Sequence, residues 1–394
     1  MRRRPLEGIT VISLEQAVAA PFATRQLADW GARVIKIERP ITGDFARYYD
    51  KAVYGLSSHF VWANRNKESM TLNVKDRKGH DILLQLLAHA DVIVQNLRPG
   101  VMQTLGLTNE FLRTKYPRLV CCNISGFGRG GPYETRKAYD LLIQAESGLL
   151  SITGTPETPV KVGISVADIA AGMYAFSGIL AALVGRGQTG NGTVVDVSML
   201  DALAEWMGYP LNFSHFGGTS PSRTGPHHAT IAPYGPYSVL NNQVIYLAVQ
   251  NDREWAAFCQ QVLRKPDLIQ DLRYCDNENR VAHRKSLDAV IEDAFGKLTL
   301  EEAVQRLESA RIAHANLNTM EKLWNHPQLH ARKRWSSITT EKGAVETLLP
   351  PMDFEEVNPR MDRVPALGED TDHVLEELGF SADRRVVLHT LGVV

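Results

Sequence analysis

The sequence predicts an α/β protein with a doubly wound parallel-sheet large domain and a smaller α+β domain. Three observations support this: the chain has 394 residues, short apolar runs alternate with helical stretches, and the alternation changes after a helix at 166–185. A chain of this length exceeds one ordinary core, so we expect two or three domains. Strands that alternate with helices pair in parallel, and ligands then bind beyond the carboxyl ends of the strands.

The first half of the chain carries the alternation. Its predicted strands are the apolar runs at 9–14, 33–37, 91–96 and 118–125. Helical stretches separate them, one of which lies near 77–89 and another ends before Tyr116. The uncharged stretch Ile169–Gly185 is shorter than the roughly 20 residues of a membrane span, so we interpret it as part of a buried helix.

The second half reads differently. After the strand TVVDVSM, residues 214–240 are rich in Gly, Pro, Ser and His, which predicts a linker or a substrate loop. A smaller α+β segment covers 241–325 and contains a strand at 244–250. In that segment Thr299 and Glu302 predict a capping box, because the hydroxyl and the carboxylate satisfy exposed backbone donors.

Composition excludes several classes of protein. Forty-three Lys and Arg against 44 Asp and Glu give a formal charge of −1, which argues against a nucleic-acid binder. The N-terminal Arg2-Arg3-Arg4 is followed by Pro5 and Glu7, which interrupt the apolar region of a signal peptide. The cysteines include no CxxC, so neither a disulfide framework nor a zinc site is expected and a reducing cytoplasm is the simplest location: Cys121, Cys122, Cys259 and Cys275.

Three short motifs resemble known functional sites but lack part of the pattern that each site requires. Gly126, Gly128 and Gly131 spell GxGxxG, but Pro132 follows and no second strand ends in an acid, so a tight glycine turn is the better interpretation than a dinucleotide site. The segment 163–167 resembles a nucleophile elbow without its closing glycine, and spacing alone leaves a Ser/His/Asp triad open. His326 and His330 are four apart, but Pro327 between them favours a surface loop over a metal site.

Asp168 stands alone in an uncharged neighbourhood at the start of the 166–185 helix. One interpretation is an ordinary N-terminal acid that the helix dipole and free N–H groups stabilise. The other is functional: the helix N-terminus keeps the carboxylate ionised, and an ionised carboxylate can attack an activated carbonyl covalently. The small residues Ala171 and Gly172 would then allow another backbone or a thin substrate arm to approach.

Basic residues gather at the predicted loop ends, where a phosphate-bearing ligand of such a sheet would bind. Scattered Lys and Arg also occur on any solvated surface, so this pattern gains weight only with a second indication. The residues concerned are Arg39, Arg47, Arg65, Lys67, Arg98, Arg129 and Lys137.

The whole chain resembles the class III CoA-transferases of the formyl-CoA transferase and carnitine-CoA transferase type. The resemblance rests on many motifs in order: PLEGITVISL (5–14), GARVIKIERP (31–40), GDFAR (43–47), NRNKES (64–69), QNLRPG (95–100), ISGFGRGGPY (124–133), KAYD (137–140), VADIAAGMYAFSGILAAL (166–183), TGNGTVVDVSML (189–200) and ALGEDTDHVL (366–375).

The resemblance implies a division of the chain and a dimer whose two copies interlock as linked rings. Residues 1–213 would form the first part of the large α/β CoA-binding domain and 214–240 the linker or substrate loop. Residues 241–325 would form the small α+β domain, and 326–394 would return to complete the large one. Asp168 occupies the position of the family's nucleophile, which implies an acyl-aspartyl anhydride followed by an aspartyl-CoA thioester. CoA thioesters are substrates here, so no permanently bound cofactor and no metal are expected.

The resemblance also assigns binding residues. By motif position the CoA contacts are Arg39, Lys67, Asn96, Leu97, Arg98 and Lys137. Val18 stands where formyl-transferring members carry a glutamine, which argues against formyl and oxalyl transfer. Tyr139 stands where the racemase branch carries a histidine, so 2-methylacyl-CoA racemase is the alternative activity. A non-catalytic acyl-CoA-binding dimer is a second alternative.

The acceptor is predicted from three stretches, EWMGYPLNFSHFGG, HHATIAPYGPY and VQNDREWAAFC, which look most like bacterial enzymes that pass CoA from succinyl-CoA to short branched dicarboxylates. Itaconate is the first choice, and mesaconate, citramalate and malate are close rivals. The distal carboxylate needs a cation or donors, for which the candidates are Arg47, Arg223, His227 and His228. From the composition we expect a cytoplasmic protein without nucleic-acid or membrane partners.

Overall fold

The computed structural model describes residues 3–394, which form two compact units. The first unit comprises residues up to 147 together with 163–206 and 329–394, and the second comprises 148–162 and 207–328. The C-terminal segment therefore belongs to the same unit as the N-terminal half.

A six-stranded parallel sheet forms the first unit, as the alternation of strands and helices predicted. Its strand order is β3-β2-β1-β4-β5-β6, so the chain reverses its direction of winding beside β1. Register along this centre pairs Val11 with Val34 on one side and with Val92 on the other. The strands are β1 Thr10–Leu14, β2 Arg33–Glu38, β3 Lys67–Thr71, β4 Val92–Gln95, β5 Val120–Ser125 and β6 Val194–Ser198.

Helices cover this sheet and bury its core. The helices in this part of the chain are α1 Ala19–Asp29, α2 Ser58–Asn64, α3 Arg77–Ala88, α4 Val101–Thr104, α5 Asn109–Lys115, α6 Asp140–Glu146, α7 Leu149–Ile152, α8 Val166–Thr189 and α9 Met199–Trp206. Of these, α7 belongs to the second unit. The core between sheet and helices includes Ile12, Ile35 and Leu83, all 2% exposed or less; burial of each such side chain stabilises the fold by roughly 1.5–3 kcal/mol.

The second unit has its own core around a three-stranded antiparallel sheet of order β7-β8-β9. Thr299 and Glu302 form the predicted capping box at the start of α14. The elements of this unit are α10 Gly208–Gly217, β7 Tyr234–Ser238, β8 Val244–Ala248, α11 Asp252–Ala257, α12 Asn277–Ala282, α13 Arg284–Phe295, α14 Leu300–Ser309, β9 Ala313–Asn316 and α15 Met320–Trp324. Helix α16 Pro327–Ala331 begins at the end of this unit, and its residues from 329 onward belong to the first. His330 thus lies in a short helix rather than in the predicted loop, and His326 directly precedes it.

The C-terminal segment closes the first unit. It contains the antiparallel hairpin β10 Trp335–Thr340 and β11 Gly343–Leu348, and then α17 Thr371–Glu377 and α18 Ala382–Thr390. The backbone N–H of Ser69 in β3 donates to the Asp370 carboxylate at 2.8 Å, and Asn73 N–H donates to the Val393 carbonyl at 2.7 Å. The exposed edge of β3 is covered in this way.

Helix α8 is long and apolar enough to cross a membrane by length and composition alone. In the structure it packs against α1, and Ala170, Ala171, Ala175 and Ile179 are completely buried. These contacts assign it to the core of the first unit, in agreement with the buried helix that the sequence predicts.

Candidate active site

The carboxyl ends of the parallel strands define one edge of the sheet, and the predicted site residues follow those strands. Glu15 to Val18 follow β1, Arg39 to Asp44 follow β2, and Asn96 to Arg98 follow β4. Since β1 and β4 are neighbours in the sheet and the winding reverses between them, this is the place where doubly wound proteins bind ligands.

The turn between β1 and α1 has an unusual backbone. Ala17 adopts a φ of +63°, a left-handed conformation that a residue with a Cβ adopts rarely, and α1 begins without a side-chain cap. Two side chains from other loops hold the turn. Asn96 accepts from the Gln16 N–H at 2.9 Å and donates to the Gln16 carbonyl at 2.8 Å, while Asp44 accepts from the Ala17 N–H at 3.1 Å. The uncapped N–H groups of α1 are therefore held in place at the sheet edge.

Helices α1 and α8 cross in very close contact beside this turn. A Cβ on Gly172 would lie 2.7 Å from the Ala19 carbonyl oxygen and 3.0 Å from the Phe22 ring. The expectation that the small residue allows another backbone to approach is confirmed, and the backbone is that of α1. The contact brings the start of α1 to the first turn of α8.

Asp168 lies in that first turn of α8, close to the Ala19 N–H at the start of α1, which favours the ionised form of its carboxylate. The side chain is half-buried. Burial is the largest influence on its ionisation, the nearby Asp140 carboxylate is the next, and both raise its pKa; the Ala19 N–H lowers it. The result is a pKa of about 7 in place of the ordinary 3.8.

Asp140, the first residue of α6, caps α8 from outside. One of its carboxylate oxygens accepts from the Ala167 N–H at 2.7 Å and from the Asp168 N–H at 3.3 Å, and the other accepts from the Gln144 amide at 2.7 Å. The expectation that the helix N-terminus keeps Asp168 ionised is therefore wrong. The Asp140 carboxylate accepts hydrogen bonds from the N–H groups at the start of α8 and places a second negative charge beside Asp168.

Such an arrangement suits a nucleophile. A carboxylate with a raised pKa is more basic than an ordinary aspartate, because its ionised form is less stable in the site. When its oxygen forms a bond to an acyl carbon, the repulsion with Asp140 disappears, so the change is favoured by the site itself. At neutral pH a substantial fraction of Asp168 is still ionised and able to react.

One tyrosine, Tyr49, interacts with the Asp168 carboxylate, and a second, Tyr139, lies near Tyr49. The pKa of the Tyr49 phenol is raised to about 12, by burial first and then by the negative charges of Asp44 and Asp168 and by Tyr139. Tyr49 thus remains a neutral hydrogen-bond donor next to Asp168. Tyr139 precedes α6 and is 63% exposed. The sequence analysis named Tyr139 and missed Tyr49, which carries no motif of its own.

The predicted CoA contacts divide into two groups. Arg39, Arg98 and Lys137 are exposed at loop ends, and Arg39 donates to the Gly43 carbonyl at 3.1 Å. Leu97 packs against the sheet core, and Asn96 uses its amide to hold Gln16. The three basic side chains therefore present charge to solvent, while Asn96 and Leu97 shape the loop.

Lys67 has a different environment from the one expected of a phosphate contact. It is buried, and its ammonium donates to the Glu15 carboxylate at 2.7 Å, the Asn64 amide oxygen at 2.9 Å and the Pro21 carbonyl at 3.0 Å. All three of its donors are used within the protein. Burial lowers its pKa to about 7, although Glu15 opposes this change.

Two of the four residues predicted for the distal carboxylate make other contacts. Arg47 forms a bidentate pair with Glu38 at 2.7 and 2.9 Å, and its guanidinium lies 3.8 Å from the centre of the Phe60 ring. Arg223, in the second unit, donates to the Thr155 and Pro156 carbonyls at 2.9 and 2.8 Å.

The two histidines lie in a compact turn of the second unit. The buried Nδ1 of His227 has no hydrogen-bond partner among the described residues, and the ring contacts Tyr237 edge-on. His228 stacks on Tyr234 with ring centres 5.0 Å apart, and burial and then Arg284 lower its pKa. His228 is thus neutral at physiological pH.

The glycine turn after β5 is packed tightly. A Cβ on Gly126 would lie 2.1 Å from the Ala138 Cβ, and Gly128 has a φ of +82°. No helix begins at Gly131, which agrees with a turn and not with a dinucleotide fingerprint. Val18, at the position of the family's glutamine, is buried at 3% exposure.

Comparison with known proteins identifies the family of this chain. The model of CoA-transferase family III matches residues 6–371. Human succinyl-CoA:glutarate CoA-transferase is 32% identical over 97% of this chain and 88% of its own length. Succinyl-CoA:mesaconate CoA-transferase of Haloarcula marismortui is 32% identical over 95% and 96%, and acetyl-CoA:oxalate CoA-transferase of Acetobacter aceti is 36% identical over 83% and 84%.

Solved structures show the same fold. A CaiB/BaiF family protein from Brucella suis has a TM-score of 0.83 and 31% identity, over 96% of this chain and 100% of that one. Rv3272 from Mycobacterium tuberculosis has a TM-score of 0.84 and 26% identity, over 94% and 99%. The sequence match, the parallel sheet and the aspartate held at its edge lead to one conclusion: this chain belongs to CoA-transferase family III and is a class III CoA-transferase.

Proposed function

We propose that this enzyme transfers CoA from succinyl-CoA to a short dicarboxylate, and that Asp168 is its covalent nucleophile. The observation that carries the proposal is the Asp168 carboxylate itself: it is half-buried, held by the Ala19 N–H, and made more basic by Asp140. Itaconate is the first acceptor we propose, followed by mesaconate, citramalate and malate.

The reaction then has four steps, each of which balances. The Asp168 carboxylate attacks the succinyl-CoA thioester carbonyl, the C–S bond breaks, and a mixed anhydride and the CoA thiolate remain. The thiolate attacks the Asp168 acyl carbon, which releases succinate and leaves an aspartyl-CoA thioester. The acceptor carboxylate attacks this thioester, which gives a second anhydride and thiolate. The thiolate finally attacks the acceptor's acyl carbon, which frees the Asp168 carboxylate and the new CoA ester.

The site residues would assist these steps through charge. An oxyanion forms on the Asp168 carbonyl in the second and third steps, and the Ala19 N–H lies near that side chain as a donor. Tyr49 offers a further neutral donor near the same group. Each anhydride is sensitive to water, so exclusion of water from the reacting atoms is required; the closely packed glycine turn at 126–131 is our candidate for part of this cover.

The choice of donor and acceptor draws on relatives. The human and Haloarcula relatives are named for succinyl-CoA with glutarate or mesaconate, and the Chloroflexus aurantiacus relatives for succinyl-CoA with L-malate. The Acetobacter aceti relative is named for acetyl-CoA and oxalate, so oxalate belongs in any acceptor panel. For CoA itself we propose the exposed Arg39, Arg98 and Lys137 as phosphate contacts, because their charge faces solvent at the sheet edge.

For the distal carboxylate of the acceptor we propose His228 with His227. Arg47 and Arg223 are occupied by Glu38 and by backbone carbonyls, so they are weaker candidates than the sequence suggested. A neutral imidazole can donate one hydrogen bond to a carboxylate. Replacement of His228 by Ala should raise the acceptor KM and leave the succinyl-CoA KM unchanged; an unchanged acceptor KM would exclude it.

The test of the activity is mass spectrometry of CoA esters. The enzyme is mixed with succinyl-CoA and, separately, with itaconate, mesaconate, citramalate, malate, glutarate, formate or oxalate, and Asp168→Ala is run beside it. Itaconyl-CoA formed fastest, and absent with the variant, supports the proposal. A different ranking replaces the acceptor, and turnover by the variant rejects the nucleophile. No ester from any acid, with deuterium exchange on a 2-methylacyl-CoA, would favour the racemase instead.

We further propose a cytoplasmic homodimer. The cysteines are all free thiols, which fits a reducing compartment. Helix α10 exposes large apolar side chains that a second copy of the chain would cover: Tyr209 at 51%, Leu211 at 54% and Phe216 at 81%. Sedimentation equilibrium at twice the mass of one chain supports the dimer, and a single-chain mass at micromolar concentration opposes it.

A further inference from the structure

Four ionisable side chains are buried together beneath the active-site turn, and we call them the buried ion network: Glu15, Lys36, Asp44 and Lys67. None of the four side chains is exposed to solvent. The Lys36 ammonium lies 2.8 Å from the Asp44 carboxylate and 3.3 Å from the Glu15 carboxylate, which in turn accepts from Lys67 at 2.7 Å. Two acids and two bases thus balance one another in the core of the unit.

One end of the network holds the strained turn. The Asp44 oxygen that does not face Lys36 accepts from the Ala17 N–H at 3.1 Å and from the Ala46 N–H at 2.9 Å. Ala17 is the residue with φ of +63°. Such a conformation persists only where the surroundings enforce it, and Asp44 is one of the groups that do so.

The other end of the network holds the first turns of α1. The Thr24 hydroxyl donates to the second Glu15 oxygen at 2.6 Å, and Lys67 donates to the Pro21 carbonyl at 3.0 Å. Ala19 lies in the chain between Ala17 and Pro21; its carbonyl is in close contact with Gly172 of α8, and its N–H lies near the Asp168 carboxylate. The chain on either side of Ala19, at Ala17 and at Pro21, is therefore held by the buried ion network.

We propose that the buried ion network is a positioning device for the nucleophile, in which Asp44, itself held by Lys36, fixes the Ala17 turn and thereby keeps the Ala19 N–H on the Asp168 carboxylate. Asp44 and Lys36 are positioning residues, since neither touches Asp168. This proposal rests on the proposed role of Asp168 as nucleophile, and it adds the residues that set the geometry around it.

The consequence is measurable as a pH dependence. The titratable groups that face Asp168 in this unit are Asp140 from α6, Tyr49 from the loop after β2, and Tyr139. Asp44 affects Tyr49 as well, but its charge is matched by Lys36. If the Ala19 N–H moves away, Asp168 loses the hydrogen bond that favours its ionised form, so its pKa rises and the acid side of the rate profile moves to higher pH.

The experiment compares two double variants that both remove the buried ion pair. Lys36→Gln with Asp44→Asn keeps a carbonyl oxygen that can accept from the Ala17 N–H. Lys36→Gln with Asp44→Ala lacks it. Both variants are neutral at positions 36 and 44. A difference between them therefore measures the effect of the hydrogen bond from the Ala17 N–H and not the effect of the lost charges. Thermal unfolding and circular dichroism confirm that each is folded before kinetics are measured.

We expect the Asn variant to keep kcat/KM within about threefold of the wild type, with an unchanged acid midpoint. The Ala variant should lose about tenfold or more in kcat, because small displacements of reacting groups are costly, and its acid midpoint should move to higher pH. The loss should fall on kcat more than on the succinyl-CoA KM, because Asp44 acts on the Ala17 turn and not on CoA.

A matched control lies at the opposite edge of the sheet. The Asp91 carboxylate accepts from the Thr10 N–H at the start of β1 at 2.8 Å and pairs with Arg186 at 2.9 Å. Asp91→Ala should lower the unfolding temperature without moving the acid midpoint. If the Ala variant at position 44 behaves like this control, the positioning proposal is wrong while Asp168 keeps its role. If Asp168→Asn retains turnover, both proposals are wrong.

Discussion

The first unit contains two groups of carboxylates at the same edge of its sheet, and their surroundings are opposite. Glu15 and Asp44 are completely buried but are matched by Lys36 and Lys67. Asp168 and Asp140 are partly exposed and face each other, and neither forms an ion pair with a basic side chain in residues 3–394. The pKa of Glu15 is lowered by its two lysines despite burial, whereas the pKa of Asp168 is raised.

Under the proposed mechanism, burial and reactivity are separate properties of these carboxylates, since Glu15 and Asp44 are the more buried and Asp168 is the proposed nucleophile. Full burial with balanced charges gives a rigid, inert group, because a carboxylate that is paired and hydrogen-bonded has little to gain from a new bond. Partial burial beside a like charge gives a group that is ready to share its charge with an acyl carbon. The predictions below break or sharpen this contrast.

The largest effect is expected at Asp168. Asp168→Asn should reduce CoA transfer by about three orders of magnitude or more, because the amide is not a nucleophile. At pH 8 the folded variant should be more stable than the folded wild type. The pKa of Asp168 is raised on folding, so the folded wild type binds more protons than the unfolded chain between pH 4 and 7. The wild type therefore loses stability as the pH rises from about 4 to about 7.

This gain is on the order of 1–2 kcal/mol after allowance for the solvent around a half-buried group. Thermal unfolding at pH 5 and pH 8 measures it, and the difference between variant and wild type should be present at pH 8 and small at pH 5. An equal difference at both values would mean that Asp168 ionises normally.

The second prediction breaks the balanced group. Lys36→Met leaves Glu15 and Asp44 buried with Lys67 alone, and loss of one partner of a buried pair costs about 3–5 kcal/mol. Lys36→Gln with Asp44→Asn removes a charge of each sign and should recover most of that loss. Urea unfolding at pH 7 measures both. Equal stability of the single and double variants would show that the buried charges are not coupled.

The third prediction concerns the helix contact. Gly172→Ala improves helix propensity but places a methyl group 2.7 Å from the Ala19 carbonyl, which is backbone and cannot turn away. We expect a net loss of about 1–3 kcal/mol and a fall in kcat, since α1 must shift away from Asp168. Gly185→Ala, in the same helix with open space around it, is the control and should be neutral or stabilising. A fully active Gly172→Ala enzyme would contradict the contact.

The smallest effect is expected at Asp140. Asp140→Asn keeps an oxygen to accept from the Ala167 and Asp168 N–H groups but removes the charge beside Asp168. The acid midpoint of kcat/KM, expected near pH 7 in the wild type, should therefore move to lower pH, and kcat should fall by less than about tenfold because the nucleophile becomes less basic. A midpoint that stays at its wild-type position would assign the raised pKa to burial alone.

The parallel sheet could be predicted from sequence because most of its strands are short apolar runs between helices. The exception is β3, Lys67–Thr71, which the pattern missed. Its residues Lys67, Glu68 and Ser69 look like surface residues. Lys67 and Ser69 are nevertheless buried, because Lys67 pairs with Glu15 in the turn after β1 and Ser69 donates to Glu38 at the end of the neighbouring β2. Hydrophobic periodicity cannot detect a strand whose buried side chains are charged.

The sequence singles out Asp168 as the lone charge at the head of an apolar helix, and the family resemblance then marks it as the candidate nucleophile. Its surroundings were not predictable. The upward direction of its pKa was not predictable either, since it depends first on burial and then on Asp140, which comes from another helix and accepts from the Ala167 N–H 27 positions away. One signal was available for the buried ion network: Lys36 is a single charge within the apolar run RVIKI, and such a residue needs a buried partner.

The return of the C-terminal segment has a consequence for the order in which the enzyme is made on the ribosome. Strand β3 is synthesised early, but the groups that cover its edge, Asp370 and Thr371, are about 300 positions later. During translation the open edge of the sheet therefore remains available for pairing with other chains. The second unit has a core drawn from residues 232–312 and is complete before that edge is covered. A nascent chain stalled before residue 360 should accordingly need a chaperone more than the finished protein does.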